Sequence, residues 1–124
     1  MGSAADKNFL DLILPQGILE YFLLTDFTSS TSEISLYLEE KNVIPEEYQG
    51  DKLTSKGFFD EITVQDFPLR GKAVYLHIRR RRWLNQTTGG VVFRDWNMVA
   101  QGTRMTTEFA SFLKALSGYQ TCKL

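Results

Sequence analysis

Residues 73–83, "AVYLHIRRRRW", constrain the fold more than any other stretch of the chain. Val74, Leu76 and Ile78 alternate with Ala73, Tyr75 and His77, the period-two pattern of a strand that buries one face. The pattern then runs into four consecutive arginines. If the alternation continues, Arg79 and Arg81 share the face of Tyr75 and His77, and Arg80 and Arg82 share the apolar face. An unpaired buried guanidinium costs several kcal/mol. The expectation is therefore a strand whose first half sits in the core and whose second half projects into solvent, charged on both faces. "NQTTGG" reads as a hairpin loop, because Gly89 and Gly90 tolerate positive φ. "VVFRDW" then returns as a short strand carrying Arg94, with Asp95 as a local counter-charge.

The rest of the chain supplies partners for that ribbon. Residues 4–14 carry Phe9, Leu12 and Ile13 at helical spacing, with Asp6 near the N-terminus and Pro15 and Gly17 as the stop. "GILEYF" suits one further helical turn. "YFLLTDF" and "EISLYLEE" read as an antiparallel hairpin across the polar turn "TSSTS". "KNVIPEEYQGDKL" is a loop punctuated by Pro45 and Gly50. "GFFDEITVQDF" is a strand, and Pro68 and Gly71 mark the turn into residues 73–83. Phe109, Phe112, Leu113 and Leu116 predict a helix over 106–116, with Thr106 as N-cap and Gly118 as its stop. The expected architecture is α+β: one domain over 1–124, mostly antiparallel, with helix plus hairpin in 4–52 and a three-stranded meander and C-terminal helix in 53–118.

Charge is distributed unevenly along the 124 residues. Residues 1–69 hold 4 Lys and Arg against 13 Asp and Glu, and residues 70–124 hold 10 against 2, while the whole chain carries −1. Such asymmetry points either to a polyanionic partner for the basic half or to pairing of the two halves with each other. A projecting ribbon of arginines suits phosphate, which guanidinium binds in bidentate fashion, and a two-stranded ribbon fits the major groove. Arg70, Lys72, Arg79, Arg80, Arg81, Arg82 and Arg94 are the candidate phosphate contacts, and Trp83 is a candidate stacking residue. The alternative for the arginines is a solvated edge that charge protects from aggregation.

Other chemistry finds little footing. The lone cysteine, Cys122, cannot form an internal disulfide or a thiolate metal site, and its position near the end disfavours catalysis. Glu39-Glu40, Glu46-Glu47, Asp60-Glu61 and Asp66 read as solvated carboxylates rather than a magnesium site, with Asp66 capping the turn at Pro68. His77, the one histidine, reads as a strand residue satisfied by a neighbour. Phe58, Phe59 and Phe67 read as core. The apolar stretches are too short to span a membrane and no signal-peptide pattern is present, so the expectation is a cytoplasmic protein with no membrane partner. No cofactor and no metal is expected.

The stretch "LTSKGFFDEITVQDFPLRGKAVYLHIRRRRW", followed by "RDW" and "MTTEFASFLKAL", resembles the N-terminal region of bacterial insertion-sequence transposases. The resemblance spans about residues 9–118 and is strongest over 53–116. It is closest to a two-gene variant common in Bacteroidetes, in which this region is a separate short protein. Its pattern falls here on Asp66, Phe67, Pro68, Gly71, Val74, Leu76, Ile78, Arg81, Arg82 and Trp83. The family's zinc ribbon uses two cysteine pairs; here those places read "NVIPEEYQG" and "LNQTTGGVV", without cysteine, so the second half is expected to be a degenerate ribbon lacking metal. The resemblance implies a non-catalytic accessory component of a transposase. It would bind double-stranded DNA at the element ends alongside a separately encoded catalytic subunit that carries the acidic triad. The alternatives are a module that docks on that subunit and an inactive remnant of a mobile element.

Overall fold

A computed structural model of the chain describes residues 4–15 and 17–96. The helix expected at 106–116, Gly118 and Cys122 lie outside the described residues. The fold is α+β, and the described strands form two sheets rather than one meander. The chain divides into two compact units, one formed by Met1–Tyr21 with Asp95–Leu124 and the other by Phe22–Arg94.

In the first unit, α1 (Ala4–Ile13) stops before Pro15, and a 3₁₀ turn at Ile18–Glu20 follows Gly17, whose φ of 95° is left-handed. Leu14, Ile18, Leu19 and Trp96 are buried, and Tyr21 meets Trp96 edge to face at 5.5 Å.

The second unit holds every strand among the described residues. β1 (Phe22–Ser29) and β2 (Glu33–Glu40) form the expected antiparallel hairpin. Ser30 closes its turn, accepting from the N–H groups of Ser32 and Glu33. The expected long strand from Gly57 to Phe67 is instead two: β3 (Leu53–Phe58) and β4 (Ile62–Leu69). The arginine-bearing strand also splits, into β5 (Lys72–Arg79) and β6 (Arg81–Asn85), and β7 (Val91–Val92) returns. The first sheet has the order β1-β2-β5-β4 and the second β3-β6-β7. β2 and β5 run parallel, a pairing the local pattern does not announce because it joins segments about 40 residues apart.

The core face of the first sheet carries Leu36, Leu38, Ile62, Val74, Leu76 and Ile78, all buried. Each such side chain contributes roughly 1.5–3 kcal/mol against leaving it in water, as an upper estimate. Residues at alternating positions face outward. In register across the sheet, Asp26, Tyr37, His77 and Thr63 form one outward row, and Leu23, Glu39 and Arg79 the next.

Turn chemistry fixes the second hairpin. Between β4 and β5, Arg70 (φ 53°) and Gly71 (φ 80°) are both left-handed, as a two-residue turn of the type favoured between antiparallel strands requires. Glycine adopts that region freely and arginine does so against a steric cost.

Candidate functional site

The four arginines do not project. Burial alternates through Val74, Leu76, Ile78 and Arg80, then shifts phase to Trp83 and Asn85. The shift coincides with a bulge on the facing strand, where the β3–β6 register slips between Ser55 and Phe58 around Gly57 (φ 84°). The Phe59 N–H donates to the Arg80 carbonyl at 2.8 Å and holds the bend. Strict alternation through Arg82 therefore fails at one residue. Arg80 stays on the core face at 1% exposure, and Arg82 falls off that face.

Each member of the run meets a group within the same unit. Arg79 pairs with Glu39 at 3.3 Å in an exposed contact. Arg81 donates from its backbone N–H to Glu40 Oε1 (2.8 Å), from Nε to the Glu40 carbonyl (3.1 Å), and to Ser55 Oγ. Arg82 Nε donates to the Lys56 carbonyl at 3.3 Å. Arg94 is buried, with Nε 2.9 Å from Glu40 Oε2 and Nη2 donating to the Val43 carbonyl. Two phenylalanines on the facing chain complete the arrangement. Arg79 and Arg81 lie over Phe58 at 5.8 and 4.6 Å, and Arg80 and Arg82 over Phe59 at 5.3 and 5.8 Å. The run of four is thus clamped by "FF" across the bent hairpin, and the acidic first half neutralises part of it. Two ion pairs, Arg79–Glu39 and Arg94–Glu40, join the basic half to the acidic one.

Several candidate nucleic-acid contacts change meaning. Arg80, Arg94 and Trp83 are buried and present no surface to a duplex. Trp83 donates its indole N–H to Asn42 Oδ1 at 2.9 Å and is a core residue, not a stacking platform. Arg70, at the β4–β5 turn, remains exposed and Lys72 beside it is half-buried. Phe58 and Phe59 are half-buried, and Phe67, expected in the core, is 69% exposed because its strand position faces outward at the sheet edge.

Glu40 and Arg80 carry the electrostatic tension of this region. Burial pushes the Glu40 carboxyl above its ordinary value, while the bonds from Arg94 and Arg81 pull it partly back. Burial likewise lowers the Arg80 guanidinium, against the attraction of Glu40. Among the described residues, Nε, Nη1 and Nη2 of Arg80 have no hydrogen-bond partner. Only Phe59 and the field of Glu40 offset its desolvation. Arg80→Met should therefore fold and gain about 1–2 kcal/mol in urea unfolding, since an apolar chain of similar reach removes an unsatisfied charge. A loss of similar size would mean that the guanidinium is satisfied after all.

The loops that read "NVIPEEYQG" and "LNQTTGGVV" are joined by hydrogen bonds at their ends. Asn85 Nδ2 donates to Asp51 Oδ2 at 2.8 Å, tying the β6–β7 loop to the end of the "NVIPEEYQG" loop. Gln86 adds its N–H to the Lys52 carbonyl (2.9 Å) and Nε2 to Thr54 Oγ1 (2.6 Å). The Asn85 side chain also accepts from Thr87 N–H, and Gly89 (φ 84°) closes the loop. Among the described residues, no group of three or more His, Cys, Asp or Glu is placed to hold a metal.

Sequence reasoning missed a concave feature outside this cluster. An open cleft of about 280 Å³ lies on the outward face of the first sheet. Tyr37 and His77 stack there with centroids 4.5 Å apart and planes 14° from parallel. His77 Nδ1 lies 3.0 Å from Thr63 Oγ1 and 3.7 Å from Glu61 Oε1, while its Nε2 is buried without a hydrogen-bond partner among the described residues, so the neighbours satisfy only one of the two ring nitrogens. Asp26, Glu39, Glu61 and Arg79 bring charge to the lining, which Thr25 and Leu38 complete among the described residues. The parallel β2–β5 pairing brings Tyr37 beside His77, and only long-range register could have revealed it.

No helix among the described residues is long and apolar enough to cross a membrane. No family model, curated protein or solved structure matches the chain.

Proposed function

We propose that this chain is a non-catalytic accessory component of an insertion-sequence transposase, and that it works by docking on another polypeptide. Kinship rests on the sequence pattern around Asp66, Pro68, Gly71 and Arg81–Trp83. The docking role rests on one observation: β1 is an eight-residue edge strand with Leu23 55% and Phe27 66% exposed, hydrogen-bonded among the described residues only to β2. An edge of that length presents unpaired backbone groups, and apolar side chains beside them favour strand addition. The arginines, by contrast, are largely engaged within the unit. In the frame of the resemblance, the partner is the separately encoded catalytic subunit.

The test is co-expression with a transposase catalytic subunit from any reading frame adjacent to its gene. The two should co-purify, and Leu23→Lys combined with Phe27→Lys should abolish recovery while leaving circular dichroism unchanged. Recovery that survives the double variant would remove the edge from the proposal.

A second reading, direct contact with DNA phosphates, keeps one supporting observation. Arg70 occupies a left-handed backbone position at an exposed turn, where asparagine or glycine would be easier. Strain of this kind is often retained for function. If Arg70 and Lys72 meet phosphates, duplex affinity should fall with log salt at a slope of about −2 and flatten when both are alanine.

A further inference from the structure

We propose that the β1 edge and the adjoining cleft bind an extended basic segment of a partner protein, which adds as a strand while one arginine or lysine side chain enters the cleft. This rests on the docking reading and names what that surface selects.

The cleft is acidic after its internal pair is counted. Among the described residues, Arg79 is its one Lys or Arg side chain and is already engaged with Glu39 at 3.3 Å. Among the described residues, Asp26 and Glu61 have no Lys or Arg partner of that kind. Asp26 Oδ1 accepts the Phe27 N–H at 2.7 Å, and Glu61 lies 3.7 Å from a histidine nitrogen that Thr63 also meets. Both carboxylates therefore keep accepting capacity toward an incoming donor. A guanidinium satisfies two carboxylate oxygens at once, and an ammonium satisfies them as a point charge.

The floor suits a cation as well. Stacked on each other, the Tyr37 and His77 rings each keep one outer face, and a guanidinium entering beside Tyr37 can pack its plane and methylene stem against the outer face of that ring. A space of about 280 Å³ accommodates such a side chain without rearrangement of the sheet.

Register connects the cleft to the edge. Asp26 on β1 stands opposite Tyr37 on β2, which stands opposite His77 on β5. The irregularity at Thr25, whose hydroxyl donates to the Tyr37 carbonyl at 3.2 Å, keeps both Leu23 and Asp26 on this outward face although they are three residues apart. A strand added outside β1 would place the residue opposite Asp26 at the mouth of the cleft, and its next same-face neighbour against exposed Leu23. Backbone bonds would supply affinity and the cleft would supply selection, the usual division in strand addition.

Charge complementarity also decides against a second copy of this strand. β1 reads "FLLTDFTS", with Asp26 its one charged residue and no Lys or Arg, so self-pairing brings carboxylates together and leaves the cleft without a cation.

The test titrates the full chain with a blocked octapeptide of alternating threonine and valine carrying one central arginine. Two controls replace that arginine with glutamate, or N-methylate alternate backbone nitrogens. The arginine peptide should bind saturably, with amide shifts in two-dimensional NMR confined to β1, β2 and the cleft. Glutamate in the peptide, or Asp26→Asn with Glu61→Gln in the protein, should weaken binding by about tenfold or more. N-methylation should abolish it. Equal affinity for the arginine and glutamate peptides, or no saturable binding of the arginine peptide, overturns the proposal. The double amide variant keeps side-chain volume, and an unchanged melting temperature separates lost binding from lost folding. Failure of the docking reading is distinguishable. If Leu23→Lys with Phe27→Lys abolishes transposase recovery while the amide variant leaves it intact, docking stands and the cleft's role falls. If the arginine peptide binds and the transposase is not recovered, the cleft stands and the transposase partner falls.

Discussion

Replacing Glu40 with alanine is expected to lower the unfolding free energy by about 3–5 kcal/mol, a large part of a small domain's stability. Glu40 is 1% exposed, and its two carboxylate oxygens divide their work. Oε1 accepts from the Arg81 backbone N–H at 2.8 Å, and Oε2 from Arg94 Nε at 2.9 Å. Removing the carboxylate leaves an N–H at the start of β6 and a buried guanidinium without those acceptors. It also deprives Arg80 of a negative charge whose attraction opposes its desolvation. Urea unfolding of the purified chain measures the loss. A change below about 1 kcal/mol would mean that water replaces the carboxylate at little cost.

Glutamine at the same position separates hydrogen bonding from charge. Burial is the largest influence on the Glu40 carboxyl and raises it above 4.5, despite the arginine bonds. Between the unfolded value and the raised folded value, the native chain keeps a proton that the unfolded chain has released. Folding is therefore penalised increasingly as pH rises through that window, and the penalty levels off above the folded value. Glu40→Gln retains one acceptor, lacks the charge and sets its NH2 against the second donor, so it should recover only part of the stability lost in Glu40→Ala. It should also lack this component of the pH slope. Unfolding curves from pH 4 upward, compared between wild type and Glu40→Gln, reveal the difference. An identical slope in both would assign the titration to other groups.

The sequence announced its hairpins more clearly than its sheets. Ser30, Gly71 and Gly89 act locally, and the turns they make are where composition placed them. The parallel β2–β5 pairing is set by burial of Leu36 and Leu38 beside Leu76 and Ile78, a non-local match that no window of residues contains. The arginine run shows the same limit at finer scale. Alternation correctly carried Arg80 onto the apolar face, and the cost of a buried guanidinium then argued for a projecting strand. What that argument lacked was the facing segment. Gly57 introduces the bulge, and Phe58 and Phe59 place rings under four guanidiniums at once. "GFF" was legible as a strand start and not as the surface on which "RRRR" rests. Glu39 and Glu40 were legible as solvated carboxylates, because nothing local says that Arg79, Arg81 and Arg94 approach them from distant positions.

Trp83→Ala should cost about 3–5 kcal/mol, the range for deleting a large buried aromatic, and should lower the melting temperature by many degrees. The residue is fully buried at 0% exposure, its indole N–H reaches Asn42 Oδ1, and the Arg94 guanidinium lies 6.0 Å from its ring. Deletion therefore opens a cavity beside the Glu40–Arg94 pair and loosens the loop that carries Asn42. Trp83→Phe keeps most of the volume and loses the N–H, so about 1–2 kcal/mol is expected, with Asn42 turning to solvent. The pair of variants also decides what the aromatic at the end of the arginine run is for. A stacking residue would leave stability nearly untouched in Trp83→Phe and change duplex affinity in Trp83→Ala. A core residue does the opposite, and thermal melts set beside a salt-dependent duplex titration read both quantities. Stability falling in step with the volume removed, at constant duplex affinity for the folded fraction, follows from the burial of this side chain. A melting temperature indifferent to Trp83→Ala would place the ring outside the core and return it to the surface of a nucleic-acid interface.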